Sequence, residues 1–185
     1  GSIYSTSLDP IPDSVDVKSV TYDLEKMTVE WEKSNVGDFS SYKLLYSKTE
    51  SGDRDTIETY TDKNTISYST STYDPTIENW YWVMVTDTLG QSKTGNGKTN
   101  TIDSPPTQIN ITNITYDLTE MVISWEQSND WDFISYELLY SDSEGGNQTS
   151  IITITDINTT SHSITDFDPT QERWYWIRVT DNWGL

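Results

Sequence analysis

Residues 80–90 have the sequence WYWVMVTDTLG, and residues 174–184 repeat it as WYWIRVTDNWG. Aromatic and β-branched residues dominate both stretches, which favours β-strands over helices. Tyr81, Val83 and Val85 occupy alternate positions, and successive side chains of a strand point to opposite faces of its sheet. These three side chains are therefore predicted to face a core. The Asp-x-x-Gly that follows predicts the turn that ends the strand.

The repeat extends far beyond these two stretches. Residues 20–90 align with residues 114–184 at a constant offset of 94 without a gap, and 38 of the 71 pairs are identical. A repeat of this length is a whole domain rather than one unit of a solenoid. Duplicated domains usually multiply a surface or a length and rarely build one catalytic centre. The repeat therefore favours binding, adhesion or spacing.

Each repeat is predicted to be a β-sandwich. Segments rich in Val, Ile, Thr, Tyr and Trp alternate with turn residues, and no helical period persists along the chain. The predicted strands of the first repeat are residues 15–20, 27–33, 41–47, 56–61, 65–70, 80–86 and 91–100. Seven short strands in about 90 residues predict an antiparallel sandwich. The predicted fold class is thus all-β, with two tandem sandwiches.

Over nearly the whole chain, the order and spacing of these motifs resemble the fibronectin type III module. The residues that carry the resemblance are Trp31 and Trp125, the alternating Tyr42, Leu44 and Tyr46 with their counterparts Tyr136, Leu138 and Tyr140, and Pro75 and Pro169 before the sixth strand. The resemblance implies an immunoglobulin-like sandwich that serves adhesion, spacing or ligand binding and is not an enzyme. A fold alone does not decide among these functions.

One position departs from the family pattern. The family usually has a tyrosine four residues after the proline, where this chain has Asn79 and Arg173. The resemblance therefore implies that the hydrogen bond of this corner is replaced or absent near Pro75.

Composition excludes several classes of partner. The net charge is −19, from 30 Asp and Glu against 11 Lys and Arg, so neither nucleic acid nor an anionic membrane surface is an expected partner. No apolar run approaches membrane-spanning length, and membrane insertion is not expected. The chain has no cysteine, which excludes disulfides and thiolate metal sites. Together these features favour a bacterial surface or secreted protein, located extracellularly or at the cell surface.

The residue inventory argues against catalysis. His162 is the single histidine, and Tyr68 takes its place in the first repeat. His162 therefore lacks the companions that a metal site or a catalytic triad needs. No glycine-rich phosphate loop occurs either. The chain is predicted to be non-enzymatic and to have no cofactor.

Calcium is the one ion that the sequence leaves open, because Ca²⁺ prefers several oxygen ligands at one place. The loop aspartates are Asp23, Asp38, Asp62, Asp74, Asp87 and Asp103, with Asp117, Asp132, Asp156, Asp168 and Asp181 in the second repeat. No EF-hand or glycine-rich repeat spacing is present. Asp103, at the joint between the repeats, is the weak candidate ligand, because the turns at Asp23 or Asp117 could lie close to it.

Strand alternation also predicts an outward aromatic face in each repeat. Its members on the sixth strand are Trp80, Trp82 and Met84 in the first repeat and Trp174, Trp176 and Arg178 in the second. Leu45 and Leu139 point outward from the neighbouring strand. Two interpretations are open: the tryptophans pack against cross-strand neighbours, or they form a contact surface for a protein or a sugar ring. Arg173 or Arg178 is a candidate for stacking on the indoles.

Two tryptophans occur only in the second repeat. Trp131 and Trp183 replace Gly37 and Leu89 in two loops that are predicted to share one end of the sandwich. Exposed loop tryptophans suit carbohydrate stacking or a protein hot spot. The alternative is a local lid over the loop core.

The repeat register predicts three parts. Residues 1–10 resemble the end of a preceding repeat, residues 11–103 form the first domain, and residues 104–185 form a second domain that stops before its last strand. The sixth strand of that domain would then be an exposed sheet edge. Either residues 3–8 of another molecule pair with this edge as a donated strand, or the edge stays frayed and the N-terminus loose.

The predicted function is a non-catalytic extracellular adhesion or spacer module that presents aromatic faces for protein contact or self-assembly. The alternative is an accessory carbohydrate-binding or linker module of a secreted polysaccharide-degrading enzyme. A saturable change of tryptophan fluorescence with a glycan would favour the alternative.

Overall fold

The computed structural model describes Ile3, Ser5 and residues 8–185. Within this part of the chain the regular structure consists of β-strands, and no residue is helical. The chain divides into two compact units, Gly1–Asp103 and Ser104–Leu185. Half of the residues in the predicted donor segment 3–8, namely residues 4, 6 and 7, lie outside the described part.

The first unit is a sandwich of two antiparallel sheets. Its strands are β1 (Val17–Tyr22), β2 (Met27–Trp31), β3 (Phe39–Ser47), β4 (Asp55–Tyr60), β5 (Ser67–Thr70), β6 (Trp80–Asp87), β7 (Ser92–Thr94) and β8 (Lys98–Thr99). One sheet has the order β1-β2-β5 and the other β4-β3-β6-β7, with β8 also paired to β6. The predicted last strand, residues 91–100, is thus two short strands with the glycines Gly95 and Gly97 between them.

The second unit repeats this arrangement. Its strands are β9 (Ile111–Tyr116), β10 (Met121–Trp125), β11 (Phe133–Ser141), β12 (Thr149–Ile154), β13 (Ser161–Ile164) and β14 (Trp174–Asp181). The sheets have the orders β13-β10-β9 and β12-β11-β14, so among the described residues β14 pairs with β11 alone. The predicted all-β fold of two tandem antiparallel sandwiches with fibronectin type III-like topology is confirmed.

Each core is built from the inward residues of both sheets. Val29 and Trp31 from the first sheet and Tyr42, Leu44 and Val83 from the second are fully buried together. Trp31 meets Tyr42 edge to face, with ring centroids 6.0 Å apart. Their counterparts in the second unit are Ile123, Trp125, Tyr136, Leu138 and Ile177. Large aromatic side chains therefore supply much of the apolar burial in a chain that has only 33% hydrophobic residues.

The Tyr42 hydroxyl connects two loops to the core. It accepts a hydrogen bond from the backbone N–H of Ser34 at 2.8 Å and donates one to the carbonyl of Lys63 at 3.2 Å. In the second unit, Tyr136 accepts from Ser128 at 2.8 Å and donates to the carbonyl of Ile157 at 3.0 Å. The loops after β2 and after β4, and those after β10 and after β12, are fixed in this way.

The corner that lacks its family tyrosine has different partners in the two units. Asn79 donates its backbone N–H to the Asn100 side chain at 2.9 Å, and its own side-chain oxygen accepts from the Tyr46 hydroxyl at 3.0 Å. Arg173 forms an ion pair with Asp142 at 3.4 Å. The corner hydrogen bond is therefore replaced in the first unit, and an ion pair occupies the equivalent place in the second.

Removing the buried hydroxyl should weaken the first unit. We expect Tyr42→Phe to lower its free energy of unfolding by about 1–3 kcal/mol, because the buried amide of Ser34 loses its acceptor. Tyr136→Phe should do the same in the second unit. Urea unfolding of the intact chain measures both effects. Tyr116→Phe is the control, since Tyr116 is 63% exposed, and it should change stability by less than about 0.5 kcal/mol. Equal effects for Tyr42→Phe and Tyr116→Phe would contradict this role.

Candidate functional site

The outer face of the second sheet in unit 1 has the predicted strand phase. Tyr81, Val83 and Val85 belong to the core, so Trp80 and Trp82 lie on the opposite face of β6. Trp82 is directly across from Leu45 of β3, and the rings of Trp80 and Trp82 stack at 6.0 Å. Alternation thus places the tryptophans on the correct side of the sheet.

Of the two interpretations that the sequence left open, packing against neighbouring residues is the one that applies to Trp82. Trp82 is 3% exposed, because other parts of unit 1 cover its indole. The Arg54 guanidinium lies 4.0 Å from the ring centroid, and the backbone at Gly97 is so close that a Cβ there would overlap the indole. Leu45 is 8% exposed, and its counterpart Leu139 is 4% exposed. Trp82 and Leu45 point outward from the sheet, yet both are buried by cross-strand packing and by the β7–β8 connection.

The equivalent face of unit 2 is more open. Trp174 and Trp176 are half-buried and Arg178 is exposed. Gln148 holds the place that Arg54 has in unit 1, and Arg178 donates hydrogen bonds to Gln148 at 3.3 Å and to Glu137 at 3.2 Å. A hollow of about 260 Å³ lies along β14 and is lined in part by Trp176 and Arg178.

Neither arginine stacks on the indoles in the way the sequence suggested. Arg178 forms an ion pair with Glu137, and Arg173 lies over the ring of Tyr140 at 5.1 Å from its centroid. The cation–π contact with an indole is found in unit 1 instead, where Arg54 lies over Trp82. The sequence did not indicate this pair, because Arg54 is distant from Trp82 along the chain.

The two loop tryptophans lie at one end of unit 2, as predicted. Trp131 precedes β11 and is 56% exposed, while Trp183 follows β14 and is half-buried. The backbone N–H of Asn182 donates to the carbonyl of Asp132 at 2.8 Å, which joins the two loops. Among the large apolar side chains of this end, Trp131 offers the most accessible aromatic surface.

An aromatic groove occurs in each unit between the edge strands of its two sheets. In unit 1 it has a volume of about 530 Å³, with Tyr46, Tyr68, Tyr73 and Tyr81 among its walls. Burial raises the pKa of Tyr81 to about 12, so the Tyr81 hydroxyl is neutral over the physiological range. In unit 2 a groove of about 440 Å³ is lined at equivalent positions by Tyr140, Phe167, Arg173 and Tyr175, among others. The sequence signal for this pair of grooves was the recurrence of aromatic residues at the same offset.

The acidic candidate Asp103 is buried at the end of unit 1. Its carboxylate accepts a hydrogen bond from the Tyr22 hydroxyl at 3.1 Å. Asp23 accepts from the backbone N–H groups of its own turn, which hold the pKa of its carboxyl below the usual value, and Asp117 is held in the same way by its side-chain and backbone bonds to Thr119. These two carboxylates thus cap turns, and calcium binding at Asp103 stays a prediction.

These features define the chain as a tandem of two fibronectin type III-like β-sandwich units. It is similar to a solved structure of chicken CNTN1 FN1-FN3 domains, with 13% identity, 94% of this chain and 64% of that chain covered, and a TM-score of 0.41. It is also similar to a two fibronectin type III domain segment from chicken tenascin, with 16% identity, coverage of 94% and 100%, and a TM-score of 0.39.

The chain is similar over part of its length to pectate lyase Pel3 from Pectobacterium carotovorum, with 12% identity, 52% of this chain and 30% of that chain covered, and a TM-score of 0.43. The chain thus spans less than two thirds of the CNTN1 and pectate lyase chains. No protein-family model and no curated protein matches the sequence. Within the described residues, no helix has the length and apolar character needed to cross a membrane.

The difference in burial between Trp82 and Trp176 is measurable. We expect Trp82→Thr to lower the free energy of unfolding of unit 1 by about 3–5 kcal/mol, as for a buried tryptophan. Trp176→Thr should lower that of unit 2 by only about 1–2 kcal/mol, because part of the indole is already in water. Denaturant unfolding of the intact variants checks both values. A small, equal loss for the two substitutions would show that Trp82 is not covered.

Proposed function

We propose that the chain is a non-catalytic extracellular adhesion or spacer segment. The observation that carries the proposal is that one sandwich framework is built twice while the surface residues differ. The pairing of β3 with β6 has the same register as that of β11 with β14, residue for residue at the offset of 94. A repeated framework supplies length and rigid support, and surface differences supply recognition.

The contact surface in this proposal lies on unit 2. Trp131, Trp176 and Arg178 are more accessible than the core residues, and Trp and Arg are among the residue types enriched at protein interfaces. At the equivalent positions unit 1 has Gly37, the covered Trp82 and Met84. The second unit therefore carries recognition, and the first contributes mainly a scaffold.

The partner is proposed to be a protein with a neutral or basic surface. The net charge of −19 disfavours acidic partners and speeds encounter with basic ones. Self-assembly by an added strand is a second form of the same contact, in which β14 would pair with a strand of another molecule. A donor strand from residues 3–8 stays a prediction.

Carbohydrate binding is the second candidate function, and the exposed indole of Trp131 favours it. Sugar rings stack on accessible tryptophans, whose flat apolar face suits them. In that case the chain would be an accessory module of a secreted polysaccharide-degrading enzyme. Soluble polysaccharides would then change tryptophan fluorescence in a saturable way.

The two functions can be separated with substitutions taken from the first repeat. Trp131→Gly and Trp183→Leu restore the residues of unit 1, and Leu118→Gly is the control, because Leu118 is a fully exposed loop residue of the same unit. Binding is measured to immobilised extracellular proteins and to soluble polysaccharides. We expect saturable binding to a protein, weakened about tenfold or more by Trp131→Gly and unchanged by Leu118→Gly. Binding to polysaccharide alone, or equal binding by all variants, would contradict the proposed protein contact.

A further inference from the structure

Three carboxylates from separate segments meet at one end of unit 1. Asp9 precedes β1, Asp38 comes directly before β3, and Asp87 ends β6. One carboxylate oxygen of each lies within 4.8 Å of the others. Like charges at this distance repel one another, so the arrangement needs a compensating interaction.

Asp87 is the buried member of this aspartate triad. Its side chain is 2% exposed, and its Oδ1 accepts the backbone N–H groups of Leu89 at 2.9 Å and of Gln91 at 2.8 Å. The other oxygen, Oδ2, is buried and accepts no hydrogen bond from the described residues. A buried carboxylate oxygen without a partner is costly, which indicates that a further species satisfies it.

Turn capping does not account for the triad. Asp62 and Asp74 also accept a backbone N–H two residues further on, at 2.9 Å in each case. Both of these aspartates are exposed, so water solvates their remaining oxygens. Asp87 shares the capping bond but differs in its buried second oxygen and in its two carboxylate neighbours.

The surrounding contacts hold the three groups together without neutralising them. Gln91 donates its side-chain Nε2 to the Asp9 carboxylate at 2.9 Å, while its backbone pairs with Asp87. The carbonyl of Asp38 accepts the backbone N–H of Thr88 at 2.9 Å. Within the described chain, neither ion pair, Arg173 with Asp142 or Arg178 with Glu137, involves a member of the triad.

We propose that Asp9, Asp38 and Asp87 form a calcium-binding site. Ca²⁺ takes oxygen ligands at about 2.3–2.6 Å, so two ligands of one ion lie at most about 5 Å apart, in agreement with the spacing within the triad. The exposed side of Asp9 leaves room for water ligands, which a calcium ion with six to eight ligands uses readily. Mg²⁺ demands a stricter octahedron with shorter bonds and suits a partly open site less well.

Unit 2 contains two of the three groups at repeat-equivalent positions. Oxygens of Asp132 and Asp181 lie within 4.8 Å of one another. Asp181 is 2% exposed, its Oδ1 accepts the backbone N–H groups of Trp183 and Leu185, and its Oδ2 is buried without a hydrogen bond from the described residues. In each unit, therefore, the sixth strand ends in a buried aspartate of which one carboxylate oxygen accepts hydrogen bonds and the other accepts none from the described residues.

Calorimetric titration of the intact, chelator-treated chain with CaCl₂ up to about 10 mM tests the site. We expect saturable binding, and we expect Asp87→Asn to bind one Ca²⁺ fewer than the unsubstituted chain. In chelator, Asp87→Asn should melt at a higher temperature than the unsubstituted chain, since the repulsion is relieved while the Oδ1 acceptor is retained. The matched control is Asp74→Asn, which removes a charge from an exposed capping aspartate and should leave the titration unchanged.

Asp9→Asn is a second test that does not depend on the folding of the buried Asp87→Asn variant, because Asp9 is exposed and its substitution should not disturb the fold. It should weaken calcium binding about tenfold or more and leave the circular dichroism spectrum unchanged. The proposal is overturned if the intact chain binds no Ca²⁺, if Asp87→Asn and Asp9→Asn bind as the unsubstituted chain does, or if MgCl₂ binds as tightly as CaCl₂.

Discussion

The contact between a buried tryptophan and a buried tyrosine, one from each sheet, sets the geometry of both units. In unit 1, Trp31 and Tyr42 meet edge to face, and the tyrosine hydroxyl also binds the backbone of two loops. In unit 2, Trp125 and Tyr136 have centroids 5.9 Å apart at 61°. Because one side chain both packs the core and fixes the loops, the loop after the second strand has a defined position in each unit. Asp38 and Trp131 lie in these two loops.

Local sequence patterns were sufficient for the framework. Alternation of apolar residues predicted the inward phase of Tyr81, Val83 and Val85, because side-chain direction in a strand depends only on position parity. The same rule could not predict that Trp82 is buried. Arg54 and the backbone at Gly97 cover the Trp82 indole, and it is the folded sheet that brings these segments next to it. A strand pattern specifies the face on which a side chain lies, while burial depends on segments that are remote in the sequence.

The aspartate triad shows the same limit for the site. Each of Asp9, Asp38 and Asp87 has the local sequence of an ordinary loop aspartate. The weak calcium candidate from the sequence was Asp103, and calcium binding there stays a prediction. What distinguishes Asp87 is a buried oxygen without a hydrogen bond, which depends on tertiary packing. The aromatic grooves were missed for a related reason: their walls come from strands of both sheets, and no single strand contains the groove. The strand framework is thus determined largely by local sequence, whereas the candidate sites are formed by tertiary packing.

Native-state hydrogen exchange measures whether the tyrosine hydroxyls fix the loops to the cores of both units. The amides to follow are those of Ser34 and Ser128, which donate to Tyr42 and Tyr136. We expect both amides to exchange only through global unfolding, with the free energy and urea dependence of the unit that contains them. Exchange at a much lower free energy, independent of urea, would show that these loops open while the cores stay folded, and would contradict the claim.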